Sequence, residues 1–168
     1  MNRRTLLAGS AVALAGCTDA IEEAAAGPDP EAAATQIRES INQIRATASA
    51  VGLQESSTLQ EAALRHSRDM AERDFYAHRN PDGEMPWHRV ACEASENIHR
   101  GQIGEMQNVD SNKVWNTSDT GELAGYVVEG WEESSEHYQN LIDPKWTAIG
   151  VGLYIDETQE FFATAMFC

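Results

Sequence analysis

The 168-residue chain contains few cationic residues. Lysine and arginine together number 12 against 27 aspartates and glutamates, which gives a formal net charge of −15. A surface with this charge repels a phosphate backbone, so the sequence predicts no nucleic-acid partner. The acidic residues are scattered along the chain and form no block, which favours adaptation to high salt over an acidic binding tail.

The chain also lacks an apolar run long enough to cross a bilayer as a helix. The apolar stretch at 6–15 is shorter than the roughly 20 residues that a span needs. It follows an arginine pair at 3–4 and ends in LAGC (14–17), which looks like a lipobox. Residues 1–16 are therefore predicted to be a twin-arginine-like export signal, with a lipid attached to Cys17. The alternative is an ordinary cleaved signal that merely contains a cysteine.

The segment that follows the predicted signal is small and acidic, and prolines interrupt it. Residues 17–32 are interpreted as a flexible tether, and residues 33–168 as one folded domain. Removing the signal takes away two arginines and no acids, so the mature chain becomes still more acidic. These features predict an exported protein, anchored through the lipid at Cys17 to the outer face of the cytoplasmic membrane, with the membrane surface as its partner.

Cysteine is scarce as well, with three in the whole chain. If Cys17 carries lipid, only Cys92 and Cys168 remain, and an exported chain with one such pair is a disulfide candidate. Their bond would close a long loop and tie down a terminus that otherwise frays. A metal-binding or redox role for two such distant cysteines is the less favoured alternative.

The remaining residues carry helix signals first and strand signals last. Helices are predicted from apolar spacing, capping and turn residues in four places: from about Ala32, from a capping box at 58–61 to about 78, over 87–92, and from Leu123 through Trp131 to His137. Strands are predicted at 96–100, 147–155 and 160–167, and a long loop at 101–120. Asn116 in that loop begins a triplet typical of a glycosylation acceptor. The order predicts an α+β fold with helices packed on an antiparallel sheet.

Three polar side chains stand out because their neighbours do not explain them. His78 follows the second helix beside an aromatic pair, Glu96 lies in an extended segment, and His137 ends the helix that carries Trp131. Two histidines and one carboxylate can ligate a metal and leave positions open to water. They can equally form a histidine–glutamate pair for proton transfer. Spacing alone does not choose between these readings.

The order of three longer motifs is more specific. The segments YAHRNPDGEMPWHRV, ENIHRG and WEESSEHYQNLIDPKWTAIGVGLY occur in this sequence in that order. Together they resemble the CAP superfamily of cysteine-rich secretory, antigen-five and pathogenesis-related proteins, and most of all its compact bacterial and archaeal SCP-like branch. The resemblance covers residues 35–167. It implies an α-β-α sandwich, with helices on both faces of a central antiparallel sheet.

The resemblance also implies a cavity. Larger members of the family have two histidines and two acids there, and divalent metals have been found among them. By motif the histidines are His78 and His137 and the first acid is Glu96, whereas the second acid is replaced by Ser134. Glu136 stands where a glycine is usual and could compensate. The resemblance thus marks these residues as a cavity that could bind a ligand, with a divalent ion such as zinc as a tentative cofactor.

Other residues near these motifs are predicted to be structural. Asn97 is interpreted as an amide that satisfies backbone groups beside the cavity, and His66 as a packed residue at the core edge. His88 and His99 are expected at the surface. The tryptophans at 87, 131 and 146 are expected in the core.

The function favoured by the sequence is a binding module whose cleft holds a lipid, a sterol or a metal ion. The resemblance implies binding, because no shared reaction unites the family, and it assigns no catalytic residue. One alternative is a metal-dependent hydrolase in which His78 and His137 hold a metal-bound water and Glu96 acts as base. The other is a structural surface protein with a vestigial cleft.

Overall fold

The computed structural model of the chain describes residues 27–108 and 112–168. The predicted export signal, Cys17 and most of the predicted tether lie outside these residues. The described part contains, in chain order, α1 (Pro30–Thr47), β1 (Gln54–Glu55), α2 (Ser57–Glu72), α3 (Pro86–Arg89), β2 (Ser95–Gln102), β3 (Glu105–Gln107), β4 (Val114–Asn116), α4 (Thr120–Glu133), α5 (Ser135–Ile142), β5 (Ala148–Ile155) and β6 (Glu160–Phe167). No helix in these ranges combines the length and the apolar character that crossing a membrane requires.

Four strands form the central sheet in the order β1-β5-β6-β2. The pairs β2–β6 and β5–β6 are antiparallel over nearly their full length, whereas β1 pairs with β5 in parallel over two residues. The predicted α+β class is therefore confirmed, and the central sheet is antiparallel except for the two-residue parallel pairing of β1 at its edge. A two-residue strand has too few positions for an alternating pattern to be recognised.

Side-chain alternation along β5 places helices on both faces of the sheet. Ile149, Val151 and Leu153 point into the main apolar core, which α1 and α4 complete. Glycines at 150 and 152 face the other side, where a Cβ on Gly152 would lie 2.1 Å from the backbone nitrogen of Leu64 in α2. The missing side chains let α2 lie directly on the strand. From there His66 of α2 reaches Glu96 of β2.

The first two helices begin at other residues than the sequence analysis predicted. Asp29 caps α1, accepting from the backbone N–H groups of Glu31 (2.9 Å) and Ala32 (3.1 Å), so the helix starts inside the segment interpreted as tether. Pro30 fits there because the first helical turn needs no proline N–H. Ser56, two residues before the predicted capping box, caps α2 through the backbone N–H of Leu59.

Two further predictions about the second half of the chain are wrong. Residues 105–107 and 114–116 pair as a small antiparallel sheet inside the predicted loop, and Asn116 is exposed at its end. The helix through Trp131 ends at Glu133, and His137 lies in the separate helix α5. Ser134, with φ −87° and ψ 115°, leaves the helical region between the two and turns the chain.

Burial confirms most of the predicted core. Trp131 and Trp146 are buried, whereas Trp87 is half exposed because its helix is a single turn at the surface. The predicted disulfide between Cys92 and Cys168 is present. It joins the end of β6 to the residues just before β2.

Candidate functional site

An open cleft of about 280 Å³ lies beside β2, the edge strand of the central sheet. Three elements meet there: the loop after α2, the start of β2, and α5. All the residues that line the cleft are polar: His78, Ser95, Glu96, Asn97, Glu136, His137, Gln139, Asn140 and Asp143. The structure thus brings His78, Glu96 and His137 to one cleft from distant positions in the chain.

A buried carboxylate orients the first histidine. The side chain of Glu96 is fully buried, and its Oε1 lies 2.9 Å from Nδ1 of His78, whose own side chain is 44% exposed. A carboxylate accepts hydrogen bonds, so Nδ1 of His78 carries the proton in this contact. In neutral His78 the Nε2 lone pair is then left as a hydrogen-bond acceptor, the arrangement by which carboxylates orient histidines in many protein sites.

The same carboxylate has two further neighbours, which the sequence analysis did not connect to the site. Nη1 of Arg89 donates to Oε2 of Glu96 at 2.7 Å, and Nε2 of His66 lies 3.5 Å from Oε1. Arg89 supplies the positive charge that a carboxylate needs when it is removed from water. His66 is buried as predicted, but Arg89 had no signal in the sequence because its partner lies on another element.

The opposite wall of the cleft is held by amides. Asn97 donates to the backbone carbonyl of His137 at 3.1 Å, in agreement with its predicted structural role. Asn140 donates to the Asn97 side chain at 2.9 Å and accepts from Nε1 of Trp146 at the same distance. The end of α5 is held by Arg45, which donates to the carbonyl of Leu141. These bonds fix α5 against β2 and so place His137 at the cleft.

Ser134 and Glu136, two motif positions that precede His137, differ in whether they line the cleft. Ser134 occupies the junction of α4 and α5, and the described residues that line the cleft do not include it. Glu136 does line the cleft and is exposed. The acidic side chains on this wall therefore belong to Glu136 and Asp143.

Burial lowers the pKa of several histidines. The pKa of His137 is lowered mainly by desolvation and further by the charge of His78, while Glu136 opposes the shift. Desolvation is also the main reason that the pKa of His66 is lowered, against the opposing charge of Glu96. Lowered pKa values favour the neutral imidazole, which can accept a hydrogen bond.

His99 contradicts its predicted surface position. Its ring stacks on Phe161 and meets Tyr126 edge to face, because odd-numbered residues of β2 point toward α4. Burial lowers the pKa of His99 to about 4, and the charge of His137 contributes. The sequence did not predict the burial of His99, because polar residues occur on both faces of β2 and no clear alternating pattern is left.

Acid is expected to destabilise the fold through His99. Its folded pKa of about 4 lies below the ordinary value of 6.5, so its contribution is complete above pH 6.5 and is lost as pH falls toward 4. The free energy of unfolding should fall by about 3 kcal/mol over this pH range. Urea unfolding at a series of pH values measures it, and His99→Gln should remove that part of the pH dependence. An unchanged pH dependence in the variant would contradict the assignment.

The donor set does not fit the metal site that the resemblance implied. Both oxygens of Glu96 are already engaged, one by Arg89 and one by His78. Within residues 27–108 and 112–168, no group of three or more His, Cys, Asp or Glu side chains is arranged to hold a metal ion. The geometry gives Glu96 the role of orienting His78, which leaves too few free ligands in the cleft.

Comparison with known proteins identifies relatives. The chain matches the CAP family, described as the cysteine-rich secretory protein family, over residues 38–167. The Bacillus subtilis (strain 168) protein YkwD, itself described as uncharacterised, is 28% identical over 119 residues. The alignment covers 65% of this chain but 38% of YkwD, so the chain spans well under half of that relative.

Solved structures share the fold. An extracellular protein containing an SCP domain from Bacillus anthracis is 25% identical with a TM-score of 0.61, and the match covers 82% of this chain and 40% of that protein. An outer surface protein from Borrelia burgdorferi has a TM-score of 0.67 at 16% identity, covering 85% of this chain and 96% of the other. The second likeness extends to the fold alone.

Proposed function

Because the chain belongs to the CAP family of cysteine-rich secretory proteins, we propose that it is a cell-surface module that binds a small polar ligand in the cleft beside β2. The observation that carries the proposal is the composition of this cleft. Every residue that lines it is polar, and two of them are histidines from separate elements, His78 and His137. Such a surface offers many hydrogen bonds to a ligand that fits.

The polar lining selects among the ligands that the sequence suggested. A lipid or sterol would strip water from these side chains without returning hydrogen bonds, which costs free energy for each polar group. A polar molecule returns those bonds. The ligand we propose therefore carries hydroxyl, amine or amide groups, and neither an acyl chain nor a bare metal ion suits the cleft as well.

The proposal favours binding over hydrolysis. A metal-dependent hydrolase needs Glu96 free to act as a base, but Arg89 holds its Oε2 at 2.7 Å. Nδ1 of His78 engages the other oxygen at 2.9 Å, so neither oxygen of the carboxylate is open to a metal-bound water. A structural protein with a vestigial cleft remains the competing explanation, and a binding measurement separates the two.

Polar fragments are expected to bind at this cleft. Titrating sugars, polyols and amino acids into ¹⁵N-labelled protein should shift backbone amide signals around residues 95–97 and 136–140. His78→Ala and His137→Ala should each weaken binding about tenfold, because each removes about one hydrogen bond to the ligand. His88→Ala is the control, since His88 is exposed and lies outside the cleft. Absence of shifts at the cleft with every fragment would support the vestigial alternative.

We also propose that a lipid on Cys17 holds the domain at the outer face of the cytoplasmic membrane. The LAGC motif and the paired arginines before it support this, together with the likeness to a Bacillus anthracis protein described as extracellular. In cell fractionation the full chain should be recovered with membranes, and Cys17→Ser should move it to the soluble or secreted fraction. A variant that stays with the membranes would rule out this anchor.

The excess of acidic residues supports adaptation to high salt, which we propose as the setting of the protein. Screening should relieve repulsion among the carboxylates, so the melting temperature should rise as NaCl is added. A melting temperature that stays level or falls would argue against it.

A further inference from the structure

Two side chains, His66 and Arg89, contact both the carboxylate of Glu96, which accepts from the His78 ring, and the backbone at residues 77 and 78. His66 donates from Nε2 to the carbonyl of Ala77 at 3.1 Å, and the same nitrogen lies 3.5 Å from Oε1 of Glu96. Arg89 donates from Nη2 to the carbonyl of His78 and from Nη1 to Oε2 of Glu96. Each side chain thus contacts one carboxylate oxygen of Glu96 and one backbone carbonyl. His66 contacts the carbonyl of Ala77, and Arg89 contacts the carbonyl of His78.

Neither side chain lines the ligand cleft. His66 and Arg89 belong instead to a second pocket, on the side of α2. Their side chains are 1% and 8% exposed, so their contacts with Glu96 form away from water. In that environment a hydrogen bond to a charged group is stronger and its geometry more closely fixed.

We infer that His66 and Arg89 are positioning residues that hold His78 in a single tautomer, with the proton on Nδ1 and the Nε2 lone pair turned to the cleft. Arg89 keeps the carboxylate of Glu96 in place, so that it accepts from Nδ1 of His78. His66 and Arg89 together hold the carbonyls of Ala77 and His78, so the backbone that carries the ring stays beside that carboxylate. Deleting either one loosens the ring without removing an atom from the cleft.

The fixed tautomer determines what the ligand must present. An Nε2 lone pair accepts a hydrogen bond, so a ligand group that meets it must be a donor such as a hydroxyl, an ammonium or an amide N–H. A carboxylate or phosphate ligand would instead face a lone pair and the acids at Glu136 and Asp143. This selection rests on the proposed function, whereas the tautomer itself is a property of the ligand-free protein.

Ring-nitrogen NMR of the ligand-free protein tests the inference. With ¹⁵N-labelled histidine, at a pH where the imidazole ring is neutral, His78 should show a protonated Nδ1 and an unprotonated Nε2. His66→Leu, which removes the donor, should lose that single-tautomer signature and give averaged ring shifts. His66→Gln is the conservative variant, because its amide nitrogen can still donate to the Ala77 carbonyl, and it should restore the signature. Glu39→Ala changes an exposed residue of α1 outside both pockets and should leave the His78 signals unchanged.

Arg89 is tested in the same spectra. Arg89→Lys keeps the charge and should keep the proton on Nδ1, whereas Arg89→Gln should give averaged ring shifts. Circular dichroism confirms folding of each variant. A wild-type His78 with its proton on Nε2 would overturn the inference whatever the variants do, and so would a signature that His66→Leu leaves intact. Because no ligand is present, these outcomes are independent of whether the fragment titration detects binding.

Discussion

Replacing Arg89 with methionine is expected to lower the free energy of unfolding by about 3–5 kcal/mol, since it leaves the carboxylate of Glu96 buried without a counter-charge. The contact is short, 2.7 Å, and the two side chains are 8% and 0% exposed. Removing one partner of a buried ion pair costs far more than the pair itself contributes, because the remaining carboxylate is still removed from water and keeps only its contacts with His78 and His66. Urea unfolding followed by circular dichroism measures the difference.

Two controls isolate the charge. Arg89→Met combined with Glu96→Gln removes the uncompensated carboxylate and should recover much of the lost stability. Arg100→Met breaks an ion pair with Glu160 of similar length, 2.9 Å, but the side chains are 44% and 26% exposed. Solvent screens that pair, so its loss should cost at most about 1 kcal/mol. Equal losses in Arg89→Met and Arg100→Met would mean that Glu96 does not depend on Arg89.

Reducing the disulfide between Cys92 and Cys168 should lower the free energy of unfolding by about 4 kcal/mol. Cys92 and Cys168 are 76 residues apart in sequence, so their bond removes much of the conformational freedom of the unfolded chain. The bond also secures the end of β6, where the carbonyl of Cys168 accepts from the backbone N–H groups of Thr147 (2.7 Å) and Ala148 (2.9 Å). Its other end, Cys92, lies four residues before Glu96 and just before β2, the strand beside the cleft.

The disulfide prediction is measured by urea unfolding with and without reductant. A variant with both Cys92→Ala and Cys168→Ala should match the reduced protein, and it should show no further response to reductant. If the reduced and oxidised proteins unfolded at the same urea concentration, the bond would not be constraining the unfolded chain.

The long helices of this fold could be predicted from the sequence, whereas the shortest strands could not. Helices α1, α2 and α4 each run over at least three turns, so apolar spacing identifies them despite errors at their ends. Strands of two or three residues, such as β1 and β4, leave too short a pattern to recognise. The break at Ser134 depends on how α5 packs against β2, which local spacing does not contain.

The candidate site, too, could be predicted only in part from the sequence. Motif order pointed to His78, Glu96 and His137, and the structure places all three at one cleft. What the sequence could not supply is the environment of Glu96. Its carboxylate would be a free ligand if it faced water alone, but α2 and α3 bring His66 and Arg89 to it. Because these contacts join three elements, only the folded chain shows that Glu96 orients a histidine.

Native mass spectrometry of the full chain with Cys17→Ser, purified without chelators from its own cells, shows whether the cleft binds a polar molecule. We expect a non-covalent adduct with the mass of a small polar molecule, absent when His78→Ala and His137→Ala are added. An adduct with the mass of a lipid or of a metal ion, lost in the same variants, would contradict it.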